Sequence, residues 1–127
     1  MTKKIIYTIK APKPVGSYSQ AVASGDFVFV SGQIALDPKT SKIVEGGIEA
    51  QTVRVLENIK NILESVDLSL SEVVKTSVFL SDISDFQAFN RVYSRYFETD
   101  PPSRSTVQAN LMVEVLVEID AIAQSKR

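Results

Sequence analysis

A chain of 127 residues, 44% hydrophobic and 23% charged, is long enough to bury the core of one domain and too short for two, so residues 1–127 are expected to form a single domain. Fourteen lysines and arginines against 15 acidic residues leave a net charge of −1, which removes any general electrostatic pull toward nucleic acid or anionic lipid. With no Cys, His or Trp, the chain cannot build a Ser-His-Asp triad, a cysteine nucleophile, a disulfide framework or a His/Cys zinc site, and any catalysis must run on Arg, Lys, Glu, Asp, Tyr, Ser or backbone groups.

The first ten residues hold too short an apolar stretch for a signal peptide, and no segment approaches the roughly 18 apolar residues of a membrane span. A cytoplasmic protein with no membrane partner is expected. Residues 4–9 read as a strand, broken by Pro12 and Pro14 before an ordered loop, Gly16-Ser17-Tyr18-Ser19-Gln20. Ala21-Val22-Ala23 and Phe27 to Ser31 flank the turn signal Ser24-Gly25-Asp26, which predicts a hairpin. Residues 33–47 carry loop composition. From Ile48 the period changes: Ile48, Thr52, Val55, Leu56, Ile59, Ile62, Leu63 and Val66 recur every three or four residues, the stripe of a long amphipathic helix.

Val73 to Leu80 is too β-branched for another helix and reads as a strand. Ser84 and Gln87 have capping-box spacing, Asp82 and Asp85 suit a helix start, and Phe86, Phe89, Tyr93, Tyr96 and Phe97 form a second helical stripe that Pro101-Pro102 ends. Ser105 to Gln108 and Val113 to Ala123 supply the last two strands. The order β-β-β-α-β-α-β-β predicts an α+β fold, one mixed sheet with both helices on one face. Phe27 and Phe29 alternate with Val28 and Val30, and the last strand also carries apolar residues of both parities, Leu116 and Ile122 opposing Val113, Val115, Val117 and Ile119. Two helices cover one face only, so the other face should meet another copy of the chain in a closed homo-oligomer.

Among the polar residues, Arg104 at a strand entrance fits either a surface ion pair or a functional cation. Glu118 lies in the apolar run Val115-Leu116-Val117-Glu118-Ile119, where it is either an outward strand residue or a carboxylate held for use. Tyr18, Ser31 and Gly32 fit turn chemistry as well as a site, and Asn90 interrupts the aromatic stripe of the second helix. Nothing has metal-ligand spacing, and Gly46-Gly47 lacks the pattern of a phosphate loop.

Gly16-Ser17-Tyr18-Ser19-Gln20-Ala21, Val30-Ser31-Gly32-Gln33-Ile34, Glu72-Val73-Val74-Lys75-Thr76, Asp85-Phe86 through Asn90, Pro102-Ser103-Arg104-Ser105 and Val117-Glu118-Ile119-Asp120-Ala121-Ile122-Ala123 follow one another over nearly the whole chain. In this order they resemble the motifs of the reactive intermediate deaminase family, the RidA or YjgF type. The resemblance implies a chorismate-mutase-like fold, a homotrimer with clefts between subunits, and cofactor-free hydrolysis of 2-imino acids such as 2-iminobutanoate and 2-iminopropanoate to 2-oxo acids and ammonia. It implies that Arg104 holds the substrate carboxylate, that Glu118 addresses the attacking water, and that Tyr18, Ser31, Gly32, Asn90 and Thr106 line the cleft. Ser17, Glu72, Ser103 and Leu111-Met112 depart from the usual motif residues, the last between Arg104 and Glu118.

Two other functions attach to the same residues: a ribonuclease or translation inhibitor, and a non-catalytic module that binds small carboxylates or acts as a holdase. The near-neutral charge and the lack of a basic aromatic patch speak against an RNA partner. A second carboxylate beside the ligand gives a pure carboxylate binder nothing, which favours the enzyme.

Overall fold

The computed structural model describes residues 2–125. Its elements are β1 (Lys4–Ile6), β2 (Ala21–Ser24), β3 (Phe27–Gln33), α1 (Gly47–Glu64), β4 (Val73–Leu80), α2 (Phe86–Tyr96), β5 (Ser103–Gln108) and β6 (Val117–Gln124), with short 3-10 turns at Leu70–Glu72 and Ile83–Asp85. The six strands form one sheet in the order β1-β2-β3-β6-β4-β5. Every pairing is antiparallel except β4 with β5. The α+β class and the element order are those the sequence predicts.

The placement of both helices on one face follows from the connections. β3 and β4 both run antiparallel to β6, which lies between them, so α1 is the crossover of a parallel pair; α2 is the crossover between β4 and β5. Both crossovers step the same way across the sheet. Crossovers of this kind are almost always right-handed, and two of one hand stepping one way put their helices on the same side. The other face is left without helices.

Between helices and sheet, Val55, Leu56, Ile59, Ile62 and Leu63 of α1 and Phe89 and Tyr93 of α2 are buried, against Val28, Val30, Val78, Leu80, Val117, Ile119, Ala121 and Ala123. The opposite parity faces away: Phe27 and Phe29 are 39% and 44% exposed. On β6, Glu118, Asp120 and Ile122 are half-buried and Gln124 exposed, so the bare face is apolar at β3 but mixed at β6, less apolar than the sequence pattern suggests. The β2–β3 turn is Gly25-Asp26, with Gly25 at a φ of 59°, as expected where the first of two turn residues must be left-handed.

Element ends differ from expectation in several places, β3 running on to Gln33 and β5 starting at Ser103, and three departures have a visible cause in side-chain bonding. β1 stops at Ile6, because the backbone beyond it is bound by a side chain: Thr8 N donates to Gln20 Oε1 at 2.7 Å, and Gln20 Nε2 donates to the carbonyls of Thr8, Ala11 and Pro12 at 3.0, 3.3 and 2.9 Å. β6 starts at Val117, since Leu116 N donates to Gln51 Oε1 at 2.8 Å and its carbonyl accepts from Ser81 N at 3.1 Å. The Ser84–Gln87 capping box is absent; Asp82 accepts from Ser84 N at 2.9 Å at the start of the 3-10 turn, and a capping box stands instead at Ser69 and Glu72. A hydrogen bond donated by Ser84 Oγ at 2.7 Å, and secondarily the one from its N, hold the exposed Asp82 carboxyl below its ordinary value.

Gln20 is 1% exposed, and Gln20→Leu would leave those four backbone groups unpaired. The expected cost is about 2–4 kcal/mol, given roughly 1–3 kcal/mol for each buried group left without a partner and partial rehydration of the loop. Urea unfolding at matched chain concentration checks this; an unchanged midpoint would mean that the loop is held by other contacts.

Candidate active site

The sequence-predicted residues fall into two clusters. The first lies on the bare face, where β3 meets β6. Pairing of these strands is regular to Val30, shifts, and resumes with Gln33 opposite Ile119, so Ser31 and Gly32 bulge over β6. Glu118 lies beneath them: a Cβ added at Gly32 would overlap Glu118 Oε2 and come within 3.0 Å of its Cδ. A side chain at position 32 would therefore have to displace the Glu118 carboxylate. Ser31 ties the incoming loop to the strand end, its Oγ donating to Ser19 O at 2.6 Å and its N to Gln20 O at 2.9 Å. The exposed Tyr18 closes the loop on itself, its hydroxyl accepting from Val15 N at 3.4 Å. These residues, with Ile34, Met112 and Val113, line a cavity of about 510 Å³.

Burial, and secondarily the Asp120 carboxylate two residues along the same face, push the Glu118 carboxyl above its ordinary value. Asp120 is itself held by Ser77 N, which donates to its Oδ1 at 3.2 Å. Among the described residues no hydrogen bond reaches the Glu118 side chain, which leaves its oxygens available to a ligand.

The second cluster lies on the helix side, where β5 meets α2. Arg104 Nη1 donates to Asn90 Oδ1 at 2.8 Å, and its Cζ sits 4.7 Å from the ring centroid of Tyr93, 5.5 Å from Phe86 and 5.8 Å from Phe89. Helical spacing makes this aromatic wall, since Phe86, Phe89, Asn90 and Tyr93 share one side of α2. Tyr93 is anchored beneath by a 2.7 Å hydrogen bond shared with Thr76 Oγ1, and burial pushes its phenol above the ordinary value. Among the described residues Arg104 has no carboxylate within ion-pair distance. Its charge is positioned by an amide and aromatic faces, which leaves guanidinium N–H groups for an anion. Thr106, two residues on, has a buried Oγ1 with no hydrogen-bond partner, and lines with Arg104, Phe86 and Gln87 a cavity of about 620 Å³.

One chain does not bring the clusters together. Arg104 and Thr106 pair with Thr76 and Val78, both buried toward the helices, so they project to the helix side. Glu118 lies between Val117 and Ile119, both fully buried on the helix side, so it projects to the bare face. Arg104 and Glu118 thus point from opposite faces of one sheet.

Sequence reasoning missed the residues that hold these clusters. Gln20 orders the Tyr18 loop. Asn58, fully buried in α1, donates to the carbonyls of Ile34 and Leu36 at 3.2 and 3.0 Å and accepts from Arg54 Nε at 3.0 Å. Its signal was present, since a polar residue between Val55 and Ile62 on an apolar stripe must find partners.

The comparisons with known proteins agree with this architecture. A family profile described as endoribonuclease L-PSP matches residues 8–125. A RutC family protein of Saccharolobus solfataricus is 55% identical over 123 residues, 96% of this chain and 98% of that protein. Reactive Intermediate Deaminase A, chloroplastic, of Arabidopsis thaliana is 42% identical over 95% of this chain and 65% of its own length. The crystal structure of E. coli TdcF with bound serine superposes with a TM-score of 0.92 at 39% identity, covering 97% of this chain and 99% of that one. With one profile spanning almost all of the described residues and relatives this similar end to end, the chain belongs to the RidA/YjgF family.

Proposed function

We propose that this chain, as one RidA-like domain over residues 1–127, hydrolyses reactive 2-imino acids and their enamine tautomers to 2-oxo acids and ammonia, with 2-iminobutanoate and 2-iminopropanoate as substrates and no cofactor. The observation that carries the reading is the pairing of an arginine without a carboxylate partner, set on an aromatic wall, with a half-buried glutamate that holds its proton more tightly than usual. The names of the plant deaminase and of the serine-bound TdcF support it, since both point to small nitrogen-bearing molecules and serine carries a carboxylate.

A protonated imine is already electrophilic, so the protein needs to orient it and guide one water. Arg104 grips the substrate carboxylate through two parallel charge-assisted hydrogen bonds, and Asn90 fixes the angle of the guanidinium plane. Glu118 takes a proton as the water oxygen bonds to C2 and the C=N π electrons move to nitrogen. It then returns that proton to the nitrogen; the C–N bond breaks with its electron pair leaving on ammonia, an oxygen lone pair forms the carbonyl of the 2-oxo acid, and Glu118 takes the hydroxyl proton and passes it to the departing ammonia as ammonium. The raised affinity of Glu118 for a proton suits a group that must both accept and give one.

This chemistry needs both clusters, and they face apart within one chain. Two copies related by a two-fold axis share a single patch on each subunit, which cannot span both faces of a sheet; a head-to-tail contact that closes into a ring can. A homotrimer, with the bare face of one subunit against the Arg104 side of the next, satisfies this and covers Phe27 and Phe29. Sedimentation at micromolar concentration should give three times the 14.0 kDa chain mass. A stable monomer would separate Arg104 from Glu118 and defeat the reading.

The direct assay couples a threonine dehydratase to this protein and follows 2-oxobutanoate formation, with semicarbazide as a competing imine trap. Faster 2-oxobutanoate release with less trapped imine is expected; trapping unaffected by the protein would overturn the assignment. Cleavage of RNA under the same conditions would instead favour the activity named by the family profile.

A further inference from the structure

In the single chain, before a neighbouring subunit covers the bare face, the Glu118 cavity is larger than a four-carbon substrate needs. A four-carbon 2-imino acid has seven heavy atoms and occupies roughly 200 Å³, taking about 30 Å³ for each as for a water in the liquid. The cavity on the Glu118 side alone holds about 510 Å³. Its polar groups are few, Glu118, Tyr18 and Ser31, and the last two already bond within the loop. Apart from Gly16 and Gly32, what remains of the wall is Val15, Ile34, Met112 and Val113.

We infer that Met112, with Val15 and Ile34, receives the substrate side chain and selects 2-imino acids with branched or aromatic apolar side chains over those of three or four carbons. The inference rests on the imine-hydrolysis reading above. Two ends of the substrate are committed, the carboxylate to Arg104 and the C=N carbon to the water beside Glu118, so the third substituent must meet the apolar wall. Met112 and Val15 are 95% and 90% exposed in the single chain, at the mouth of the cavity and on the face that the neighbouring subunit approaches, so a side chain of a substrate held between the two subunits meets them. The segment that carries Met112 is pinned at its ends, by Ala109 N to Leu80 O at 2.9 Å and by the two bonds of Leu116, and lies outside the sheet between them. An unbranched thioether on such a segment adapts to side chains of different shape.

The test compares kcat/KM for imines generated by an L-amino-acid oxidase from leucine, phenylalanine and alanine, with semicarbazide trapping as readout. The wild-type protein should prefer the first two. Met112→Ser should lower the leucine-to-alanine ratio about tenfold or more, the scale set by removing apolar contact from a substrate pocket, and Met112→Leu should restore it. An unchanged ratio in Met112→Ser overturns the inference while leaving imine hydrolysis standing. A Met112→Ser protein that no longer sediments as the wild type does also overturns it, by placing Met112 in a subunit contact. Hydrolysis of none of the three imines overturns the underlying reading and this inference with it.

Discussion

Arg104→Ala should lose 2-oxobutanoate binding and roughly 30-fold to 1000-fold in kcat/KM, the effect of about 2–4 kcal/mol from one bidentate charge-assisted contact at a desolvated site. Arg104→Lys should recover little. The reason is specific to this site: the guanidinium Cζ lies over the Tyr93 ring, 4.7 Å from its centroid, while Nη1 reaches Asn90 at 2.8 Å. An ammonium has no plane to align and no second parallel donor pair. Calorimetry with 2-oxobutanoate and the coupled assay on both variants check this; full activity in Arg104→Ala would remove the carboxylate clamp from the account.

Glu118→Gln should leave product binding intact while kcat falls by roughly 100-fold or more, the scale of a positioned acid or base. Its pH behaviour follows from burial and Asp120, which raise the Glu118 pKa. Glu118 must be ionised to accept a proton from water, so wild-type kcat/KM should fall on the acid side at a pH above that of an ordinary carboxylate. Asp120→Asn removes one of the two causes and should move that acid limb to lower pH. The stability consequence has the opposite sign to catalysis. A carboxyl that binds its proton more tightly folded than unfolded adds stability below the unfolded value and loses it as pH rises through the folded one. At neutral pH the ionised Glu118 is a cost, and Glu118→Gln should unfold at the same or a higher urea concentration than wild type. A variant both inactive and clearly less stable would make Glu118 a structural residue.

Much of this arrangement is legible in the residue pattern. The apolar stripe from Ile48 to Val66 becomes α1, the β-branched run at Val73 becomes β4, and the alternation of Phe27 to Val30 places the two phenylalanines on the face without helices. The errors arise where side chains take over backbone bonding, as Gln20 does at Thr8 and Gln51 at Leu116, because an apolar run looks the same whether a neighbouring strand or a buried amide satisfies its N–H groups. The two halves of the site differ in the same way. Glu118 between Val117 and Ile119 announces its face by parity. Apart from Val107, Ser103 to Gln108 is polar at both parities, so the strand's own pattern does not say that Arg104 turns toward Asn90 and Tyr93; the contacts across β4 and α2 decide it. The shared identity of Arg104 and Glu118 as a pair came from their motifs, and their separation onto two faces from the fold.

A site assembled from two chains is tested most directly by mixing inactive variants. Arg104→Ala and Glu118→Gln chains, unfolded together in equal amounts and refolded, should recover about one quarter of wild-type activity, because in a ring one junction in four pairs an intact Arg104 with an intact Glu118. Activity no greater than the sum of the two variants refolded separately, with mixed oligomers shown to have formed, would contradict it.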